Sequence, residues 1–122
     1  MSTVALTIDY SNGAQKHFSS IPWNKGLTIL GVLQGATRIQ PGIATAFGSD
    51  RSGHVLNLVI DGTPESGKQR TEWLIWVNNK PFLHRIGTDT SFGFNADERA
   101  VNLVNSGDHI VLKLSAVVPP PA

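Results

Sequence analysis

The sequence predicts a small α+β domain in which a mixed β-sheet packs on one helix. Three observations predict it. Val4, Leu6, Ile8 and Tyr10 alternate with Thr3, Ala5, Thr7 and Asp9, the period of a strand with one buried face. The pattern then changes between Leu27 and Thr37, where Ile29, Leu33 and Ala36 recur at helical spacing with Leu30 and Val32 widening the stripe. Strand periods return after Gly53, at Leu56 to Ile60, Thr71 to Asn78 and Ile110 to Leu114.

The elements follow in order. Ser11-Asn12-Gly13 closes the first strand in a turn where Asn12 and Gly13 tolerate positive φ, and a second strand runs from about Gln15 to Ile21 with Phe18 facing inward. Pro22 to Gly26 breaks the pattern before the helix, whose first turn Thr28 can cap through its hydroxyl. Gly31 and Gly35 lie one turn apart in that helix, each costing about 1 kcal/mol relative to Ala, a spacing that lets a backbone pack closely on a sheet or dock a partner. Arg38 to Ser52 has no clear period and reads as a long surface crossover, a length at which loops are often functional.

Leu56, Leu58 and Ile60 alternate with Asn57, Val59 and Asp61, so a third strand is expected from Gly53 to Gly62. Thr63 to Arg70 is a polar loop. Thr71 to Asn78 is apolar on both faces, with Trp73, Ile75 and Val77 on one and Leu74 and Trp76 on the other. Such a strand is either central in its sheet or carries an exposed recognition face. Asn78-Asn79 makes a turn into a short returning strand over Lys80 to Leu83. His84 to Asn105 has no dominant period: Gly87, Gly93 and Asn95 favour irregular backbone, and Ala100 to Val104 fits one turn or a short strand. Ser106-Gly107-Asp108 turns into a last strand carrying Ile110, Leu112 and Leu114. Residues 1–118 therefore form one domain, and Pro119-Pro120-Pro121, unable to pair in a sheet, begins a disordered tail over 119–122. This order is that of a β-grasp (ubiquitin-like) fold, a mixed sheet of four to five strands on one helix; another small α+β sandwich or an irregular β-barrel with a helix are the alternatives.

Composition bounds the chemistry. A chain of 122 residues should bury roughly two-thirds of its extended surface and needs no staple. The absence of cysteine excludes disulfides, thiolate metal or cluster sites and thiol nucleophiles. A net charge of +1 is too balanced for an electrostatic nucleic-acid or membrane binder, and the interruption of Lys68, Arg70, Lys80 and Arg85 by Glu65 and Glu72 argues the same way. No apolar run is long enough to span a bilayer and no signal peptide is visible. The expectation is a cytoplasmic protein as written, or a secreted one if a leader has been removed.

Catalytic signatures are missing. His17, His54, His84 and His109 are too widely spaced for a local metal motif, and neither a nucleophile elbow nor a phosphate loop is present. His84 near Asp89 could form a base and its orienting carboxylate, but no nucleophile accompanies them. The C-terminus, Pro-Pro-Pro-Ala, lacks the Gly-Gly end of sulfur carriers and ubiquitin-like modifiers, and the ferredoxin branch of the fold needs four cysteines that are not here.

Trp73-Leu74-Ile75-Trp76-Val77-Asn78-Asn79-Lys80 resembles the strand and turn of the transcobalamin-like C-terminal domain family, a β-grasp family of unknown function. Gly26, Thr28, Leu30 and Leu33 match its helix start, and Gly107, Asp108 and Ile110 its last strand. Asn79 stands where the pattern has Gly, which a turn accepts because Asn visits the left-handed region. The resemblance spans roughly Thr3 to Ala116 and implies a non-enzymatic binding or adaptor domain, or alternatively a carrier for a corrinoid-like ligand, with no other cofactor expected. The candidate contact residues for a protein partner or small molecule are Trp23, Trp73, Trp76, Asn78, Asn79 and Lys80, with the loops Arg38 to Ser52 and Thr63 to Arg70 beside them.

Overall fold

A computed structural model describes residues 2–39, 41–51, 53–65, 71–87 and 100–116. It is a small α+β domain built on a mixed five-stranded sheet, with a second, three-stranded sheet beside it. The elements are β1 (Thr3–Asp9), β2 (Gln15–Pro22), α1 (Ile29–Thr37), β3 (Thr45–Ser49), β4 (Val55–Ile60), β5 (Thr63–Pro64), β6 (Thr71–Val77), β7 (Lys80–Pro81) and β8 (His109–Ala116). The large sheet has the order β2-β1-β8-β6-β7, and the small one β3-β4-β5.

β1 and β8 are parallel, with Leu6 opposite Ile110 and Ile8 opposite Leu112, all four fully buried. Parallel central strands covered by a helix need apolar side chains at every inward position, and the alternation of Val4, Leu6 and Ile8 meets that need. β2 pairs antiparallel with β1, and between Val4–Ile21 and Leu6–Phe18 it carries one extra residue. That bulge turns both Phe18 and Ile21 inward although they are three apart in sequence. In the first turn it is Ser11, at φ 59°, and Gly13 that take positive φ. Side-chain oxygens of Asp9 and Asn12 accept from the Ser11 and Ala14 amides and fix the turn.

Helix α1 begins as expected: the Thr28 hydroxyl accepts from the Gly31 N–H at 3.2 Å. Ile29, Leu30, Val32, Leu33 and Ala36 form its buried face, which packs on β1 and β2. The two helix glycines differ. A Cβ on Gly35 would lie 2.9 Å from the Cγ2 of buried Ile21 on β2, whereas one on Gly31 would crowd the end of the Leu27 side chain, at 2.8 Å, and touch the Thr28 hydroxyl at an ordinary 3.4 Å. Ile21 is β-branched and held by the sheet; Leu27 is half-buried and can rotate away. Gly35→Ala should therefore lose about 1–2 kcal/mol to overpacking despite the better helix propensity of Ala, and Gly31→Ala should gain up to about 1 kcal/mol. Urea unfolding of the two variants checks this, and equal effects would contradict the close approach of α1 to β2.

Five expectations need correction. The stretch Arg38 to Ser52 is not all crossover, because Thr45–Ser49 forms β3 and pairs with β4. Its side chains are mostly exposed, so no period of buried residues marks it. The strand after Gly53 does not join the large sheet but centres the small one. Leu56 does not face inward with Leu58 and Ile60: between Ala46–Val59 and Gly48–Leu56 β4 has an extra residue, Asn57 sits at φ 56°, and Leu56 is 38% exposed. The polar loop after Gly62 contains the two-residue strand β5, and the returning strand after Asn79 is limited to Lys80–Pro81. Residues 100–102 form a helical turn. Lys68, Arg70, Asp89, Gly93, Asn95 and the Pro-rich tail lie outside the described residues.

The two sheets share one core, to which Leu58 and Ile60 contribute from β4. They are also joined by a polar knot. The Asp61 carboxylate accepts from the Tyr10 hydroxyl, from Lys16 Nζ at 2.9 Å and from the Ala44 N–H at 2.9 Å. Burial alone would raise the Asp61 pKa, but these bonds outweigh it and hold the carboxyl below its ordinary value. Burial, with the carboxylate beside it, pushes the Tyr10 phenol above its usual range. A carboxyl with a depressed folded pKa stabilises the fold above its unfolded value, about 3.9, and that contribution fades as pH falls through the folded value. Asp61→Asn should therefore cost about 1–3 kcal/mol at pH 7, with the gap from wild type closing below about pH 4. Urea midpoints followed against pH test this; a constant gap down to about pH 2 would show that Asp61 works through shape alone.

Candidate functional site

The six residues singled out in the sequence do not converge. β6 sends Trp73 and Ile75 to the core face and Leu74 and Trp76 to the outer face, by the alternation of any strand. Trp76, half-buried, shares a shallow outer hollow of about 300 Å³ with Asn79, Val111 and Lys113. Asn78 and Asn79, at φ 51° and 67°, form the two-residue turn into β7, where Lys80 pairs with Val77. The Asn78 side chain is used structurally: it donates to Asp108 and accepts from the His109 N–H, both at 2.8 Å. Trp23 lies elsewhere, its indole N–H donating to the Val104 carbonyl at 2.9 Å.

Trp73 does not lie on the surface. It is 5% exposed and packs edge-on against Tyr10, ring centroids 5.8 Å apart. Its indole N–H is the one buried side-chain polar group among the described residues with no hydrogen-bond partner. A buried donor left unpaired costs roughly 1–3 kcal/mol, so its presence in a core asks for a reason.

Trp73 also lines a cleft of about 340 Å³ between β4 and β6. Val55 and Leu58 of β4, Ile75 of β6 and Ile86 give this cleft apolar walls, while Glu65, Glu72, His84 and Arg85 supply charge and hydrogen-bonding groups. The wall at 85–87 is fixed from behind by Asn102, fully buried, whose side chain accepts from the Gly87 N–H at 3.1 Å and donates to the Arg85 carbonyl at 3.0 Å. The Val55 N–H donates to the Ile86 carbonyl at 2.8 Å and ties the same segment to β4. Beside it Asp50 accepts from the His54 ring at 3.2 Å and from Arg85 at 3.3 Å. His84 packs on Phe82, ring centroids 5.5 Å apart.

His17 and His109 lie on strands with their side chains off the apolar core. Both rings meet the Thr7 hydroxyl, each at 2.8 Å. One hydroxyl proton serves only one ring nitrogen, so when one imidazole accepts from Thr7 the other donates to it. Among the described residues no group of three or more His, Asp or Glu side chains is placed to hold a metal ion, and no helix is long and apolar enough to cross a membrane. Comparison with protein-family models, with curated proteins and with solved structures finds no match.

The cleft was not legible in the sequence. Its walls come from segments far apart in the chain, and an unpaired donor leaves no sequence signal. The one cue was Trp73 itself, in a strand with apolar residues on both faces.

Proposed function

We propose that this chain is a non-enzymatic binding domain of β-grasp type whose ligand sits in the cleft between β4 and β6. The unpaired indole N–H of Trp73 carries the proposal: it is a buried donor on a residue that lines the cleft, and an acceptor brought by a ligand would satisfy it. The sheet order β2-β1-β8-β6-β7, with its parallel β1–β8 pair and one helix packed on β1 and β2, supports the β-grasp reading. The mixture of apolar walls with a few polar groups is the usual make-up of a small-ligand site. The resemblance to the transcobalamin-like family remains an expectation of the same kind. A corrinoid-like ligand would lie across the mouth of the cleft rather than within it, since about 340 Å³ is at the low end of small-ligand sites.

Ligand-observed NMR with acetate, N-methylacetamide and cyanocobalamin as separate probes tests the proposal on wild type, Trp73→Phe and Trp76→Ala. The amide or the carboxylate should bind wild type and Trp76→Ala and lose binding to Trp73→Phe. Binding lost only in Trp76→Ala would move the site to the outer hollow, and cyanocobalamin alone binding would favour the carrier reading. No binding by any probe would defeat both.

A further inference from the structure

The backbone along the β6 wall narrows the ligand's chemistry. β6 pairs with β8 along its whole length; among the described strands its other edge is paired only at the far end, where β7 meets Trp76 and Val77, and Thr71 at the near end has a further interaction of its own. At the far end the Ile75 carbonyl accepts from the Phe82 N–H at 2.8 Å. Alternate residues of an antiparallel strand present their backbone groups to alternate edges. Trp73, two residues before Ile75, therefore turns its N–H and C=O to the uncovered edge. Its N–H meets no strand there; it donates to the Glu65 carboxylate at 2.9 Å. Glu65 stands where the carbonyl of a neighbouring strand would stand. The Trp73 carbonyl has no hydrogen bond among the described residues.

On the edge of β4 away from β3, β5 pairs with Val59 and Ile60 and the Val55 N–H bonds the Ile86 carbonyl, so among the described residues no strand pairs with Leu56 to Leu58 there. Among the described residues the cleft is thus bordered by two strand edges that are paired at their ends and not between them. An unpaired strand edge is a template for another chain, and natural edges are commonly guarded by charge. The Glu65 carboxylate is such a guard, and it is held by one hydrogen bond that a main-chain carbonyl can replace.

We infer that the ligand is an extended peptide segment of a partner protein, added as a strand to the open edge of β6. This rests on the cleft being the binding site. A peptide carbonyl takes the Trp73 N–H from Glu65, a peptide N–H bonds the Trp73 carbonyl, and an acceptor on the peptide reaches the indole N–H. Main-chain bonds of this kind supply affinity, and side-chain pockets supply specificity. Glu72, exposed at the rim of the cleft, has no ion-pair or hydrogen-bond partner among the described residues. With Glu65 released beside it, two carboxylates select a segment carrying Lys or Arg.

The test pans the full chain against a library of linear heptapeptides and titrates the best binder into ¹⁵N-labelled protein. Enrichment of Lys and Arg is expected, with shifts at the amides of Glu72, Trp73 and Leu74 and at the Trp73 indole. N-methylation of the peptide at alternate residues should weaken binding at least about tenfold while the intervening residues tolerate it, the period of a strand. Glu72→Lys, which reverses one of the two charges that select the segment, should weaken binding several-fold. A binder indifferent to N-methylation, or the absence of any binder below about 1 mM, would overturn strand addition. If N-methylacetamide still binds wild type but not Trp73→Phe in that case, the cleft remains a binding site and only the peptide inference fails; if it does not, both fail.

Discussion

Trp73→Ala is expected to cost about 3–5 kcal/mol, the usual loss for a large aromatic removed from a core. A domain of this size has only about 5–15 kcal/mol in total, so the variant should be partly unfolded at 37 °C. The ring is 5% exposed, closes edge-on against Tyr10 and stands among Ile75, Leu58 and the cleft wall. Two companion variants separate its bulk from its donor. Trp73→Phe keeps most of the apolar surface and removes a buried N–H that has no partner, so it should cost only about 1 kcal/mol. Trp76→Ala, on the half-buried outer face, should also stay near 1 kcal/mol. Urea unfolding of the three checks the order. A Trp76→Ala loss equal to that of Trp73→Ala would mean that the faces of β6 are exchanged.

Asn102→Ala is the second large effect, about 2–4 kcal/mol. Asn102 is fully buried and bonds both the Gly87 N–H and the Arg85 carbonyl. Truncation leaves the buried Gly87 N–H and the part-buried Arg85 carbonyl without the side chain that satisfied them, and an orphaned buried group costs about 1–3 kcal/mol. The damage should be local before it is global, because the segment at 85–87 is otherwise tied to β4 by the Val55–Ile86 bond and the His54–Gly87 bridge. Amide hydrogen exchange should rise first at Gly87 and Val55, ahead of β1 and β8. Loss of stability below about 1 kcal/mol, with Gly87 still protected, would show that Asn102 does not hold the cleft wall.

Much of the large sheet was legible because its strands obey simple rules. Val4, Leu6 and Ile8 alternate and face a helix, as do Ile110 and Leu112, and Asn78-Asn79 is a turn of the kind only left-handed-tolerant residues make. The small sheet was not. β3 exposes most of its residues and so has no buried period, and the extra residue in β4 turns Leu56 outward where strict alternation turns it in. Neither bulge nor sheet membership is written locally, since both depend on pairing between distant segments. The same holds for the cleft. Trp73 drew notice as an aromatic in a doubly apolar strand, but its role as an unpaired donor depends on Glu65, Val55 and Ile86 arriving around it.

The most direct test of the central claim is the ¹H–¹⁵N spectrum of the three tryptophan indoles, recorded free and with N-methylacetamide. Trp23 supplies an internal reference, because its N–H is bonded to the Val104 carbonyl. The unpaired Trp73 N–H should resonate upfield of Trp23 in the free protein and move downfield on titration, while Trp23 stays fixed. A Trp73 signal already beside that of Trp23, and unmoved by the amide, would mean that its donor is satisfied within the chain and that the cleft has no ligand to wait for.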